Sequence, residues 1–259
     1  MKLVFGINTY KDSSDLNARQ KLCIKSLKKI CSDNNRIVNL QFIDDFFEYK
    51  DFDKTLKLQQ SSQNYITDSP YKFPIVSEIF NVLSGEDCDY FVFLNDDIIL
   101  QKNFLKEIED FQHDCYVASR VDVDLHEGGE YFTPKNYNIH GFDLFCIKKE
   151  WWLKNKDKFP PLILGKYFWD TSYYVLCKKY GKTKTLNKLP YSILHPIHNG
   201  DSNNQTKEHF YNQSTVNPLI IQSWFYVANN ILTNRLDDRG IKNSLPTSEE
   251  EINSDSYLK

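Results

Sequence analysis

Nowhere in its 259 residues does the chain hold an apolar run approaching the ~20 residues that span a bilayer, so no transmembrane segment is expected. The opening stretch, MKLVFGINTY, breaks at Gly6 and Asn8, too early for the apolar region of a secretory signal. It reads as a first strand. Basic excess is also missing: 32 Lys and Arg stand against 35 Asp and Glu, and a net charge of -3 excludes the electrostatic footprint of a nucleic-acid binder. The six cysteines include no C-x-x-C pair. Each sits in an apolar context, which points to buried free thiols in a reducing, cytoplasmic compartment. Two glycosylation sequons, at Asn204 and Asn212, are then matches by chance. Internal repeats and Pro/Gly-rich linkers are absent too.

What remains is an ordinary globular composition, 26% charged and 41% hydrophobic, long enough to bury a sizeable core. Aromatic residues reach 15%, with 16 Tyr and 18 Phe. Strand and core preference accounts for many of them, and clefts that handle carbohydrate favour rings as well.

Hydrophobic patterning predicts strands over 3–8, 37–43, 90–94, 115–121, 142–147, 183–186 and 192–195. Helices are expected over 16–31 with Asp15 as cap, 73–83 behind Pro74, 103–111, 149–154, 167–180 and 216–232. Residues 50–70 are polar and give no clear pattern, 122–138 read as a polar excursion, and the tail from 243 is polar. Strand and helix alternate through the first half. This predicts an α/β fold with a mostly parallel central sheet flanked by helices, in one domain over 1–242 followed by a tail over 243–259. Ligands of such sheets bind at the carboxyl ends of the strands. Asn8, Asp44 and the Asn95-Asp96-Asp97 group all fall there.

The last group ends the run YFVFLNDDIIL. Charges cost several kcal/mol to desolvate unless paired or bound to a cation, so either the acids face water at a strand end or they open a site. Oxygen ligands on a tight turn suit Mg2+ or Mn2+, which commonly bridge carboxylates to substrate phosphates. Spacing alone does not decide: Asp51-Phe52-Asp53 and Asp122-Val123-Asp124 fit a D-x-D pattern equally well. Only the group at 95–97 follows five apolar residues within a strand–helix series. A haloacid-dehalogenase-type phosphatase needs an acidic nucleophile where this chain has Asn95, and an amide cannot attack phosphorus.

The succession LVFGINTY, an acidic end on the second strand, KFPIVSEIFNVL and FLNDDIIL resembles the GT-A fold of nucleotide-sugar-dependent glycosyltransferases. The later segments IHGFDLFCIKKEWW, LGKYFWDTSYY and ILHPIHNGD are similar to a family-2-like group of those enzymes with an Asn-x-Asp-Ile variant of the D-x-D motif. The likeness spans roughly residues 3–201 and departs at Asn95, where an acid is usual.

The resemblance implies a nucleotide-sugar-binding half over 1–100 and an acceptor half over 101–242. Asp97 would hold Mn2+ or Mg2+, Asp96 would meet ribose or sugar, and Asn95 would complete the motif. Asp170 would be the base that accepts the acceptor proton in an inverting displacement, although a carboxylate at a helix start is also a ready N-cap. His195 or His198 would complete the metal shell or meet the diphosphate, and packing at the strand end is the plainer duty of either. His140, Phe142 and Asp143 would lie on the acceptor side. Of the rings Trp151, Trp152, Phe168 and Trp169, some would stack on an acceptor sugar and at least two would serve the core.

On the donor side, Thr9 and Tyr10 are candidates for base and ribose, Asp44 for the base, and Arg19 or Lys72 for phosphate. The expected partners are a UDP- or GDP-sugar donor and a glycan or other hydroxyl acceptor. Stereochemistry has no signature in the chain. Two other functions stay open: a non-catalytic nucleotide- or carbohydrate-binding module on the same fold, and a nucleotidyltransferase. GINTYKDSSD lacks the Gly-rich basic phosphate loop that the latter carries.

Overall fold

The computed structural model describes residues 1–9, 16–45, 47–125, 132–138, 141–186, 193–197 and 206–216, with backbone alone for 125 and 132–138. Its centre is a seven-stranded sheet. The strands are β1 (Leu3–Asn8), β2 (Arg36–Phe42), β3 (Lys54–Leu58), β4 (Tyr90–Leu94), β6 (Cys115–Ala118), β9 (Leu144–Lys148) and β10 (Thr183–Thr185). Their spatial order is β10-β6-β9-β4-β1-β2-β3. Strands β3, β2, β1 and β4 pair in parallel, and β10 pairs in parallel with β6. β9 alone runs the other way, antiparallel to both β4 and β6. A mostly parallel sheet covered on both faces needs strands that are apolar throughout. Every residue of β1 and β4 is buried, and apart from Gly6 and Asn8 of β1 their side chains are apolar or aromatic.

Alternate side chains of β4 enter different cores. Phe91 and Phe93 join the cluster under α2 (Val76–Ser84), α4 (Lys149–Asn155) and α5 (Trp169–Tyr180). Tyr90, Val92 and Leu94 join the cluster under α1 (Ala18–Ile30) and α3 (Asn103–Ile108). Helix α1 is capped by Asn17, not Asp15, through a reciprocal capping box with Gln20, so it starts two residues later than expected. Helix α2 likewise starts at Val76. Pro74 and Ile75 make bridges to Ser61 and Ile163 before it, so the proline serves an extended segment and not a first helical turn.

Within 50–70, β3 extends the sheet edge. The expected strand 115–121 is two: after Ala118 the chain turns into β7 (Arg120–Leu125), which pairs antiparallel with β8 (Phe132–Asn138). With β5 (Ile99–Leu100) and β11 (Ile193–Pro196) these form a second sheet, ordered β5-β11-β7-β8. Within the expected excursion over 122–138, the described residues are therefore two paired antiparallel strands. Helix α6 (Lys207–Thr215) was not anticipated, while the expected helix beyond Val216 and the tail from 243 lie outside the described residues. Among the described residues no helix is long and apolar enough to cross a membrane. All six cysteines are free thiols, five of them buried.

Candidate active site

Register brings the site together. Leu94 pairs with Ile7 on one side and with Leu144 on the other, and Leu144 pairs in turn with Ala118. The residues just past those positions, Asn8, Asn95, Asp143 and Ser119, therefore share one edge of the central sheet, and Arg120, next after Ser119, opens β7 of the second sheet. The turn at 95–98 carries the chain from β4 into β5, placing the acidic group in the corner between the two sheets.

Asn95 donates from Nδ2 to Asp143 Oδ1 at 2.7 Å. Arg120 Nη1 donates to the same oxygen at 2.9 Å, and Arg120 Nε to Asp122 Oδ1 at 3.1 Å. Asp122 Oδ1 also lies 2.8 Å from Nδ1 of His195, whose Nε2 is 3.2 Å from Asp97 Oδ2. Asp143 is buried, and desolvation pushes its pKa up against the opposing charge of Arg120. Its Oδ2 has no hydrogen-bond partner among the described residues.

This arrangement explains the departure at Asn95. A carboxylate there would stand at hydrogen-bond distance from Asp143, two like charges in a poorly solvated corner, whereas the amide supplies a donor. Asn95→Asp is expected to cost about 1–3 kcal/mol of stability at neutral pH. Both acids would have raised pKa values, so the penalty grows as pH rises and fades as pH falls through the range where one of them protonates. Urea unfolding at neutral and mildly acidic pH measures it, and equal stability of the two proteins at neutral pH would contradict the repulsion.

The cap of α1 serves the same turn. Gln20 uses its oxygen to accept from the Asn17 amide at 3.0 Å, leaving its NH2 to donate to Asp96 Oδ2 at 2.6 Å. Asp96 is half-buried, and desolvation raises its pKa, with Gln20 and the charge of Arg19 pulling in the other direction.

Asp170 stands in the first turn of α5, where its Oδ2 accepts from the Phe142 amide at 2.9 Å. That bond ties it to the segment carrying Asp143. It does not cap α5, since Phe168 occupies the N-cap position in the left-handed region at φ 73°. Part of Asp170 is open to solvent, yet desolvation at its carboxylate dominates the bonds from Phe142 and Thr171 and pushes its pKa up to about 6. Gly141 makes room for it: a Cβ there would sit 3.0 Å from Asp170 Oδ2.

The structure thus brings Asn95, Asp96, Asp97, Asp143, Asp170 and His195 to one edge, with Arg19 near Asp96. Asp44 and Lys72 lie at the end of β2, where they are each other's partners: Lys72 Nζ is 3.1 Å from Asp44 and 3.3 Å from Asp45. Thr9 needs correction. Its hydroxyl donates to Asn39 at 2.8 Å and accepts from Gln41 at 3.2 Å within a buried group, so it belongs to the scaffold and not to an open base or ribose contact. Trp169 needs correction as well. It is buried between Phe93 and Phe145, and Trp151 and Trp152 are buried too, so these rings build the core in place of a sugar platform. Tyr10, His140 and His198 lie outside the described residues. Arg120, Asp122 and Gln20 were missed. Asp122 had a visible signal, its own D-x-D match, but its partner His195 stands 73 residues away in sequence.

As for a cation, the described residues contain no group of three or more metal-ligating side chains. The donor set fits a cation shared with a substrate. Adjacent ligands of an octahedral ion at ~2.1 Å stand about 3 Å apart, close to the 3.2 Å between Asp97 Oδ2 and His195 Nε2, and the carboxylate oxygen is a donor type that suits Mg2+ and Mn2+.

No protein-family model matches the chain, and no curated protein matches it. Solved structures do. The chain is similar to S. aureus TarS residues 1–349 in complex with UDP-GlcNAc, at 14% identity and a TM-score of 0.52, over 93% of this chain and 69% of that one. The same TarS fragment without that complex matches at 13% identity and a TM-score of 0.51, over 93% and 68%. At such identity the likeness concerns the fold: the chain has the GT-A architecture, an α/β fold with a mostly parallel central sheet flanked by helices.

Proposed function

We propose that this protein is a glycosyltransferase that moves a sugar from a nucleotide-sugar donor to a hydroxyl acceptor. The observation that carries the reading is the single bonded network at the strand ends, running from Asp97 through His195, Asp122 and Arg120 to Asp143. Asp170 joins its edge through the Phe142 amide. A fold shared with a protein solved with UDP-GlcNAc supports a nucleotide-sugar donor, UDP-linked in the first instance.

In this reading Asp97 and His195 would hold a divalent cation, Mn2+ or Mg2+, which would supply positive charge beside the departing nucleoside diphosphate. Asp96, held by Gln20, faces the ribose or the sugar. Asp170 takes the proton of the acceptor hydroxyl as that oxygen bonds to the anomeric carbon and the bond to the diphosphate breaks, a single inverting displacement. A carboxylate with its pKa near 6 is a better base than an ordinary aspartate, and it remains ionised at neutral pH. The charge of Asp143 adds to desolvation in raising the pKa of Asp170.

The test is a screen of UDP- and GDP-sugars with Mn2+, read as release of nucleoside diphosphate. Slow hydrolysis of one donor without acceptor is the expected result. Tight donor binding with no release would favour a non-catalytic module on the same fold, and binding of no nucleotide sugar would end the proposal.

A further inference from the structure

We propose that Arg120 and Asp122 are positioning residues that hold His195 in the one ring state able to complete the cation site, an inference that rests on the reading above. The two proposed ligands come from different sheets. Asp97 follows β4 of the central sheet, while His195 lies on β11 of the second sheet. A rigid link between them is required before two side chains 98 residues apart can act as one site.

Strand β7 supplies it. His195 is the register partner of Asp122, so the backbone ladder sets the imidazole beside that carboxylate. Asp122 and Asp97 both only accept, so the single N–H of a neutral ring can serve one of them, and the shorter 2.8 Å contact at Nδ1, against 3.2 Å at Nε2, assigns it to Asp122. The lone pair of a neutral ring then sits on Nε2, the nitrogen directed at Asp97. His195 is buried at 5% exposure, which limits ring flips. Arg120 fixes the carboxylate from the other side, since its Nε donates to the same Asp122 oxygen while Nη1 donates to Asp143. One guanidinium thus ties the histidine's support to the residue that anchors Asn95 at the head of the acidic turn. Ligating histidines commonly have their second nitrogen held by a carboxylate, and removing that support typically costs ten- to hundredfold in metal affinity.

The test reads the ring itself. Nitrogen-15 spectra of the metal-free protein at about pH 8.5, above the usual imidazole range, report the His195 tautomer, with the signal assigned by its loss in His195→Ala. Mn2+ alone is then titrated, and paramagnetic broadening of the same signal gives its affinity. The expected wild-type ring carries its proton on Nδ1. Asp122→Ala should mix the tautomers and require about ten- to hundredfold more Mn2+. Asp122→Asn, which keeps an oxygen at the accepting position, should restore the Nδ1–H form and most of the affinity. Thermal melts establish that each variant is folded, and should Asp122→Ala not fold, the wild-type tautomer and Asp122→Asn carry the test.

A wild-type ring protonated on Nε2 would overturn the proposal. So would Mn2+ broadening that is unchanged in folded Asp122→Ala, or wild-type ring signals that Mn2+ never reaches. Failure of the glycosyltransferase reading shows differently, as a wild-type protein with the expected tautomer and Mn2+ response that neither hydrolyses nor transfers from any nucleotide sugar.

Discussion

Asp170→Asn is expected to lower sugar transfer about a hundredfold to ten-thousandfold while changing the KM for the donor by no more than a few fold. The substitution keeps an oxygen that can accept from the Phe142 amide, so the local backbone bond survives and only the proton acceptor is lost. The pH profile carries the sharper signature. In the wild type, desolvation sets the carboxylate pKa at about 6, so activity should rise as pH climbs through that value and then level off; the variant's residual activity should lack this limb.

Stability should move the other way. An aspartate's folded pKa raised from the ordinary value near 4 means that its protonated form is the better accommodated one. That stabilisation is fully present below about pH 4 and is lost as pH rises through about 6. Asp170→Asn should therefore match the wild type in urea unfolding at low pH and exceed it above neutrality. Full activity in the variant, or a wild-type profile flat between pH 5 and 7, would remove Asp170 from the role of base (window set by the pKa of about 6).

The second large effect belongs to Asp97. Asp97→Ala should reduce turnover by about a thousandfold or more, since a bound cation contributes several kcal/mol of transition-state stabilisation and each ~1.4 kcal/mol is a factor of ten. The fold should persist. Asp97 sits in a half-buried turn, and the strand before it is held by ladders to β1 and β9 that the substitution leaves intact. Loss of the carboxylate also leaves His195 still held by Asp122, so the defect should be one of cation binding and not of local collapse. Donor turnover in a saturating excess of Mn2+, together with a thermal melt, checks both halves. An active Asp97→Ala protein would place the cation elsewhere or dispense with it.

The parts of the fold that were legible in the sequence are those where burial leaves a single solution. β1 and β4 were read to the residue because short, largely apolar runs, five residues in β4 and Leu3, Val4, Phe5 and Ile7 in β1, fit the middle of a covered sheet. The hairpin of β7 and β8 was not, although Val121 and Val123 alternate with Arg120, Asp122 and Asp124. Charged residues are depleted in strands, and what permits them here is pairing: Asp122 with Arg120 on its own strand and with His195, and Arg120 with Asp143, His195 and Asp143 being supplied by distant segments. α2 was misplaced at its start because Pro74 is compatible with a first helical turn, and its actual duty, bridging to Ser61, involves a partner thirteen residues earlier.

The candidate site divides along the same line. The acidic turn could be picked out locally, by its place after an apolar strand. Which oxygen faces which nitrogen could not, because Asp97 meets His195 across the corner of two sheets and Asn95 meets Asp143 across a register set by β9. Trp169 failed as a sugar platform for a related reason. An aromatic beside an acid reads equally as ligand contact or core, and Phe93 and Phe145 decide for the core.

The most direct test of the central claim is calorimetric titration of UDP into the wild-type protein with Mn2+ and again with the metal chelated. A cation held by Asp97 and His195 against the diphosphate should tighten UDP by at least about tenfold, worth ~1.4 kcal/mol, and the gain should vanish in Asp97→Ala. Equal UDP affinity with and without Mn2+, or a gain that survives in Asp97→Ala, would contradict it.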